Sequence, residues 1–425
     1  MKYDVIIIGA GAAGLYAMKE LVAAGYKVCM LEAAETPGGR IATIEEVGFT
    51  GPVETGAEFI HGKLPVTFKL LKEAGASYEA VEGDMIGVQN GEWQKEEHND
   101  HWDKFLNELN GLKTDITILQ FLDTHFSEPQ YVHLREAVQR FAQGFDLADI
   151  SKASILPLKN EWKNMDKKQF RIKGGYTQLL NYLLKCSLQK DAVIYFNACV
   201  NKIEYDTDVV IVTTTEKKRF ESDKLIITVS LGVLQSGSIE FKPALKDHAV
   251  AIQGIGFGSV IKFLLEFKTS FWKEFEDDIG FILSNEEIPT WWTQLPQENN
   301  LLTGWLGGPK AAEKVFEPDE TLLQTALQSL SNIFRMPPAM LREELVHHKI
   351  ICWQKNQFIK GGYSYSTLAS EHARKVLSTP INDTVFFAGE ALLGGDSTGT
   401  VESALQSGQD TAALLMKRFH PEKQS

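Results

Sequence analysis

The chain has 425 residues, more than one hydrophobic core usually organises, so two domains are expected. With 44% hydrophobic and 23% charged residues it reads as ordinary soluble globular material. A net charge of −13 and a pI near 5.4 remove the basic footprint of nucleic-acid binding and suit a cationic substrate. Four cysteines (Cys29, Cys186, Cys199 and Cys352) show neither C-x-x-C spacing nor a disulfide framework, which fits a reducing compartment. No apolar run reaches the roughly 18 residues of a membrane span, and the tail from Lys417 to Ser425 is polar. A cytoplasmic protein without a membrane anchor is therefore expected. Without internal repeats or low-complexity linkers, its domains are expected to be interleaved.

Tyr3-Asp4-Val5-Ile6-Ile7-Ile8 is a β-branched run of the kind buried in a parallel sheet. It breaks at Gly9-Ala10-Gly11-Ala12-Ala13-Gly14, a G-x-G-x-x-G, and continues at helical period through Leu15 to Leu21. Gly9 permits the tight turn, Gly11 lets backbone approach a pyrophosphate, and Gly14 lets helix and strand pack closely. The helix start at Ala13 is then aimed at the phosphates. A second strand, Lys27 to Leu31, delivers Glu32 about 20 residues after the glycines, where a carboxylate holds ribose hydroxyls. A secretory signal would also place Lys2 before an apolar stretch, but Asp4 inside that stretch and the spacing of Glu32 argue for the dinucleotide cradle.

Gly38-Gly39-Arg40 follows as a second flexible approach, with a cation for the diphosphate. The "LEA…GGR" pattern resembles the start of the flavin amine oxidase family, which includes monoamine oxidases, polyamine oxidases, lysine-specific histone demethylases and L-amino-acid oxidases. The resemblance implies FAD rather than NAD.

Gly51 to Gly62 is glycine-dense, letting backbone approach something flat. In the family the segment matching Gly56-Ala57-Glu58-Phe59 runs along the isoalloxazine ring. His61, in an "IHG" context, stands where animal polyamine oxidases also have histidine; the lesser alternative is a turn histidine bonded to backbone.

From residue 63 to about 170 the pattern turns helical, with amphipathic stretches at 101–106, 116–126 and 131–145. His98 and His101, near Glu97, Asp100 and Asp103, mimic a metal cluster, but no second ligand pair follows. A solvated helix start is the better reading, and no metal site is expected.

Lys173-Gly174-Gly175-Tyr176 opens a helix from Thr177 to Leu188. In the strand from Ala198 to Ile203 the family uses the backbone of the residue matching Val200 beside the adenine. Asp223 to Val229 is another buried strand. It leads into Leu231 to Leu234, with Ser230 where the family usually has proline. Gly256 to Phe267 reads as a strand in which Lys262 shares a face with Val260, Leu264 and Glu266. Periodicity alone makes that face half-wet. The resemblance implies otherwise: "GFG-x-x-x-K" is where the family places the lysine that holds a water against flavin N5.

Residues 271–345 carry Phe271, Trp272, Trp291, Trp292 and Trp305, more often core than pocket, and two helices, from Glu320 and from Pro338. Trp353 and Gly361-Gly362-Tyr363 resemble the family's "W…G-x-Y" strand, with Tyr363 as an aromatic facing the flavin. Gly362 stands where monoamine oxidases have a tethering cysteine, so FAD is expected to be held non-covalently. Val385 to Ala388 is a strand ending in Gly389-Glu390, the family's "GE". A helix from Thr400 and Val401 to Arg418 would aim its N-terminus at the flavin pyrimidine. Thr400 replaces the second aromatic of the monoamine oxidases, as in the histone demethylases.

Gly395-Asp396-Ser397-Thr398-Gly399, followed by Asp410 and His420, also fits the order of an α/β-hydrolase. The loop between Gly389 and Ser397 spoils the strand-to-helix elbow that reading needs. A flavoprotein without turnover is a third class, against which Lys262 and Tyr363 speak.

These observations make the chain an α/β protein. A Rossmann-type FAD-binding domain (1–62, 171–270 and 346–425) is expected to interleave with an α+β substrate-binding domain (63–170 and 271–345). The expected activity is that of a FAD-dependent amine oxidase, in motif detail most similar to polyamine oxidases. An amine would yield a hydride to the flavin, an imine would hydrolyse, and O₂ would be reduced to hydrogen peroxide. Monoamine and then L-amino-acid oxidation are the alternatives; the latter lacks the "G-x-M-R" arginine in the Gly56–Phe59 stretch. Acidic side chains between Glu79 and Glu108 offer a hold for a distal ammonium. The oligomeric state is left open.

Overall fold

A computed structural model describes residues 2–94, 101–162, 168–188, 192–207, 209–395 and 397–419. Glu97, His98, Asp100, Asp396 and His420 lie outside the described residues. The expected first strand, helix and second strand form at Lys2–Ile8, Ala12–Ala23 and Val28–Leu31. The first strand lies between Val28–Leu31 and Arg219–Ile227, parallel to both. Val193–Tyr195 extends this parallel set on one side. On the other, Val385–Phe387 pairs parallel with the end of Arg219–Ile227, at Leu225 to Ile227. The start of that strand pairs antiparallel with Val210–Thr214, and Val200–Tyr205 and Glu240–Lys242 complete eight strands.

Alternation explains why the centre of this sheet is apolar on both faces. Val5, Ile7, Val28, Met30, Ile226 and Phe386 face a layer built from Ala12–Ala23, Thr177–Ser187 and Val401–Arg418. Ile6, Ile8, Cys29, Leu31, Leu225 and Phe387 face a second core with Ile203, Val212 and Leu231. A sheet covered on both faces demands side chains that repel water on both. The first and last helices pack so closely that a Cβ on Gly408 would lie 2.2 Å from the Ala13 carbonyl oxygen. The two chain ends therefore meet at the glycine-rich turn.

A second sheet of seven strands runs in the order Leu345–Cys352, Val260–Phe267, Leu301–Gly307, Thr290–Trp292, Ile279–Ser284, Asp84–Gln89 and Glu92–Gln94. Its core packs on Asp319–Phe334. By hydrogen bonding, Val260–Phe267 and Leu345–Cys352, expected with the cofactor segments, belong to this second sheet. A helical layer, Trp102–Gly111, Ile118–His125 and Val132–Gly144, has its own core around Phe105, Phe121 and Phe126. Ile118–His125 starts on a capping box between Thr117 and Gln120, two residues later than the apolar pattern suggests.

Three local expectations are corrected. Gly256–Phe257 pairs separately with Ser364–Tyr365, and the long strand begins only at Val260. All eight residues of Val260–Phe267 are buried, so the half-wet face is instead a buried one carrying Lys262 and Glu266. The stretch from Trp353 to Tyr365 is not one strand. Trp353–Lys355 is a single 3-10 turn, and strand pairing resumes only at Ser364.

Candidate active site

A cavity of about 1700 Å³ lies between the two sheets and the helical layer. Ordinary small-molecule pockets are about 300–1,000 Å³, so this one has room for a dinucleotide and a further ligand. At one end the Ala12–Ala23 helix presents its N-terminus through Gly11, Ala12 and Ala13. Its Gly11 cap offers no side-chain bond, so first-turn N–H groups remain for a ligand. A Cβ on Gly11 would meet nothing nearer than 3.9 Å, because that position opens into the cavity. Gly14 differs: its Cβ would sit 2.1 Å from the Gly9 carbonyl oxygen, so it serves packing.

Glu32 is buried beside this turn and accepts from the amides of Ala10 at 2.6 Å and Ala34 at 2.9 Å. Burial pushes its carboxyl up, and these amide bonds pull the other way. Val200 lines the same end. Arg40 donates to the Gly362 carbonyl at 2.8 Å and pairs with Glu390 at 2.7 Å, while Glu390 also accepts from Ser364 Oγ at 2.6 Å. Gly39, Gly389 and Val401 line the cavity nearby.

Thr400 caps the Val401–Arg418 helix in a reciprocal pair with Ser403. The first-turn acid, Glu402, is turned away to cap Pro65–Ala74, accepting from the amides of Val66 at 2.9 Å and Thr67 at 2.7 Å. That leaves the positive end of the last helix, which borders the cavity at Val401, without an opposing carboxylate of its own. These features fit an adenine dinucleotide carrying a flavin.

The middle of the cavity holds Lys262, 1% exposed at its side chain. Its ammonium lies 2.7 Å from Glu58 Oε2 and 3.3 Å from the Gly56 carbonyl oxygen. The other Glu58 oxygen accepts from Arg171 Nε at 3.0 Å and Trp292 Nε1 at 2.9 Å. Burial pushes the Glu58 carboxyl up, but the charges of Lys262 and Arg171 outweigh it and hold the group below its ordinary value. Trp353 donates to the Thr55 carbonyl at 3.1 Å, fixing the backbone that leads to Gly56 and Ala57.

Aromatic rings wall the rest. Phe59, Phe281 and Trp292 lie 5.5 to 6.2 Å apart, and Trp305 is 5.8 Å from Trp292. His61 meets Phe145 edge-on at 5.4 Å, and burial pushes its imidazole down to about 4, leaving it neutral near pH 7. The Tyr363 hydroxyl donates to the Phe145 carbonyl.

Every site residue anticipated from the sequence except Gly14 lines this one cavity. Sequence reading missed Arg171, Arg140, Phe141, Phe145 and Asp146. A signal existed for several of them: Ala137, Arg140, Phe141, Gly144 and Phe145 recur at helical spacing and all line the cavity. Of the acids between Glu79 and Glu108, Asp103 lines it, whereas Glu79 pairs with Lys173 at 3.0 Å and Glu108 with His125 at 3.2 Å. Phe59, where L-amino-acid oxidases have arginine, does have a guanidinium over its ring, that of Arg171 at 4.6 Å. That guanidinium is engaged by Glu58 and by the carbonyls of Thr293 and Leu295. A 3-10 turn, Glu390–Leu392, and a loop separate Ser397 from the last strand, and Asp410 bonds Gln406 on its own helix, so no hydrolase elbow forms.

The profile of a family described as flavin containing amine oxidoreductase matches residues 12–416. Lysine-specific histone demethylase 1 homolog 1 of Arabidopsis thaliana is 27% identical, covering 97% of this chain and 52% of that protein. Polyamine oxidase 2 of the same plant is 26% identical, covering 98% and 89%. The chain spans about half the length of the histone demethylase relatives it matches. A putrescine oxidase solved with putrescine bound shares the fold, with a TM-score of 0.83 at 21% identity, over 98% of this chain and 100% of that one.

Proposed function

The chain belongs to the flavin containing amine oxidoreductase family, and on that footing we propose that it is a FAD-dependent oxidase of a di- or polyamine. The overall reaction converts the amine, O₂ and water to a carbonyl compound, a shorter amine or ammonia, and hydrogen peroxide. Bound FAD supplies the hydride acceptor and keeps no covalent link to the chain. Gly11, Ala13 and the rest of the first helix turn hold its diphosphate, with Arg40 and Gly39 alongside. Glu32 takes ribose hydroxyls, and the Val200 backbone flanks the adenine. Gly56 to Phe59 and Trp353 form the surface against the ring system. Gly389, Glu390, Thr400 and Val401 face its polar edge. Segments 1–62, 171–270 and 346–425 supply most of this cofactor side, and 63–170 and 271–345 most of the substrate side.

The observation that carries the reading is one buried lysine, Lys262, in the cavity that also holds Tyr363 and His61. Lys262 holds a water at the reacting centre. Tyr363 and the rings of Phe59, Phe281 and Trp292 flank the carbon that is oxidised. Neutral His61 accepts a hydrogen bond from the substrate without repelling its ammonium. Asp103 and Asp146 line the cavity and offer carboxylates to a distal ammonium. The aromatic wall also favours a second reading, a monoamine with an apolar body.

Peroxide production over a panel of spermine, spermidine, putrescine, benzylamine and L-amino acids tests both. Turnover of polyamines is the expected result. Activity confined to benzylamine-like compounds favours the second reading, and turnover of L-amino acids alone overturns the assignment.

A further inference from the structure

Glu58 makes bonds that a cofactor ligand would not need. Arg171 is fixed on all sides: Nε to Glu58 at 3.0 Å, Nη1 to the Leu295 carbonyl at 3.0 Å, Nη2 to the Thr293 carbonyl at 3.0 Å, and its face over Phe59. Arg171 and the Trp292 indole together hold Oε1 of Glu58, leaving Oε2 with one direction to point, toward Lys262 Nζ at 2.7 Å. The side chains of Lys262, Glu58 and Arg171 are only 1%, 5% and 7% exposed, so solvent does not loosen the chain of contacts. Lys262 sits on a strand paired on both sides, opposite Trp305 and Ile351, and its backbone is equally fixed.

We propose that Glu58 is the positioning residue for Lys262, a clamped carboxylate that pairs with its ammonium and holds it immobile at the reacting end of the cavity. This rests on the reading of Lys262 given above. The cluster carries two cations and one anion, a balance of one positive charge. Removing Glu58 leaves two buried cations facing one another, which a protein interior tolerates poorly. Removing Lys262 as well restores the original balance, with Arg171 as the remaining charge. Glu54, which also feels Lys262 and Glu58, is a further titratable group beside the pair.

The test is a cycle of Glu58→Gln, Lys262→Met and the double variant, on the purified holoenzyme, with Tm and stopped-flow rates of flavin reduction and reoxidation as readouts. Glu58→Gln is expected to lower Tm and to slow the Lys262-dependent half-reaction about tenfold or more. In the Lys262→Met background Glu58→Gln is expected to cause no further slowing, and the double variant is expected to recover Tm lost in Glu58→Gln. Should Glu58→Gln not fold, soluble double variant is itself that recovery. Trp292→Phe, which removes one donor to Glu58 and no charge while keeping a ring in the cavity wall, is then expected to slow wild type by a larger factor than it slows Lys262→Met. Multiplying rate losses with no recovery of Tm would overturn the proposal and leave the oxidase reading intact. A Lys262→Met enzyme with wild-type rates in both half-reactions would overturn both.

Discussion

Arg40 Nη1 and Glu390 Oε1 lie 2.7 Å apart across 350 positions of sequence, so the second glycine-rich approach and the end of the last strand are held by one ion pair. The Glu390 side chain is 5% exposed and that of Arg40 25%, which keeps the pair well shielded on the carboxylate side. Arg40→Ala removes both this partner and the cation offered to the diphosphate. A charge-assisted bond contributes about 1.5–3 kcal/mol, so flavin affinity should fall about tenfold or more. The flavin-to-protein absorbance ratio after gel filtration reports it. Full flavin content in Arg40→Ala would show that the diphosphate lies elsewhere.

Flavin should leave the protein on acid precipitation, colouring the supernatant. A Cβ on Gly362 would stand 2.4 Å from Leu147 Cδ1 and 3.1 Å from Val260 Cγ1. Gly362→Cys therefore overpacks, at about 1–3 kcal/mol, and should lower Tm before any tether forms. Pairing it with Leu147→Ala should recover part of that loss. Flavin that stays in the wild-type pellet would mean a covalent link at another residue.

Burial pushes the Glu54 carboxyl from its ordinary 4.5 to about 7, against opposing bonds from the Tyr176 amide and Thr43 and the charge of Lys262. Between those two values the folded chain holds a proton that the unfolded chain lacks. Glu54 therefore contributes stability fully below about 4.5, and this is lost as pH rises through 7. Glu54→Gln should match wild type at pH 4.5 and exceed it in Tm at pH 8. Equal Tm difference at both values would show that Glu54 does not titrate there.

His61 has the opposite sign. Its imidazole is depressed from 6.5 to about 4, so in that window the unfolded chain binds a proton that the folded chain excludes. Its contribution is complete above 6.5 and is lost as pH falls toward 4. His61→Asn should flatten the acid limb of a Tm-against-pH curve. His61→Ala should lower kcat/KM for polyamines, while a wild-type value would return His61 to a turn role.

Local signals carried the cofactor end of this protein. A buried strand, a glycine turn, a helix and an acid at fixed spacing are neighbours in sequence, so their chemistry is readable before any fold is known. Gly9, Gly11, Glu32 and Arg40 are of this kind, as are the strand and helix from Val385 to Arg418. The α/β architecture was legible for the same reason: period-2 and period-3.6 runs alternate along the chain. What only the tertiary structure decided is the charge around Lys262. Glu58, Arg171, Lys262 and Trp292 come from four distant segments, and no spacing rule links them. Alternation made the Lys262 face half-wet, because a lysine and a glutamate on one side of a strand usually mean solvent. Folding packs that face against the segment from Phe49 to Glu58 and meets its charges with partners from elsewhere, an outcome set by long-range packing, which local periodicity does not encode.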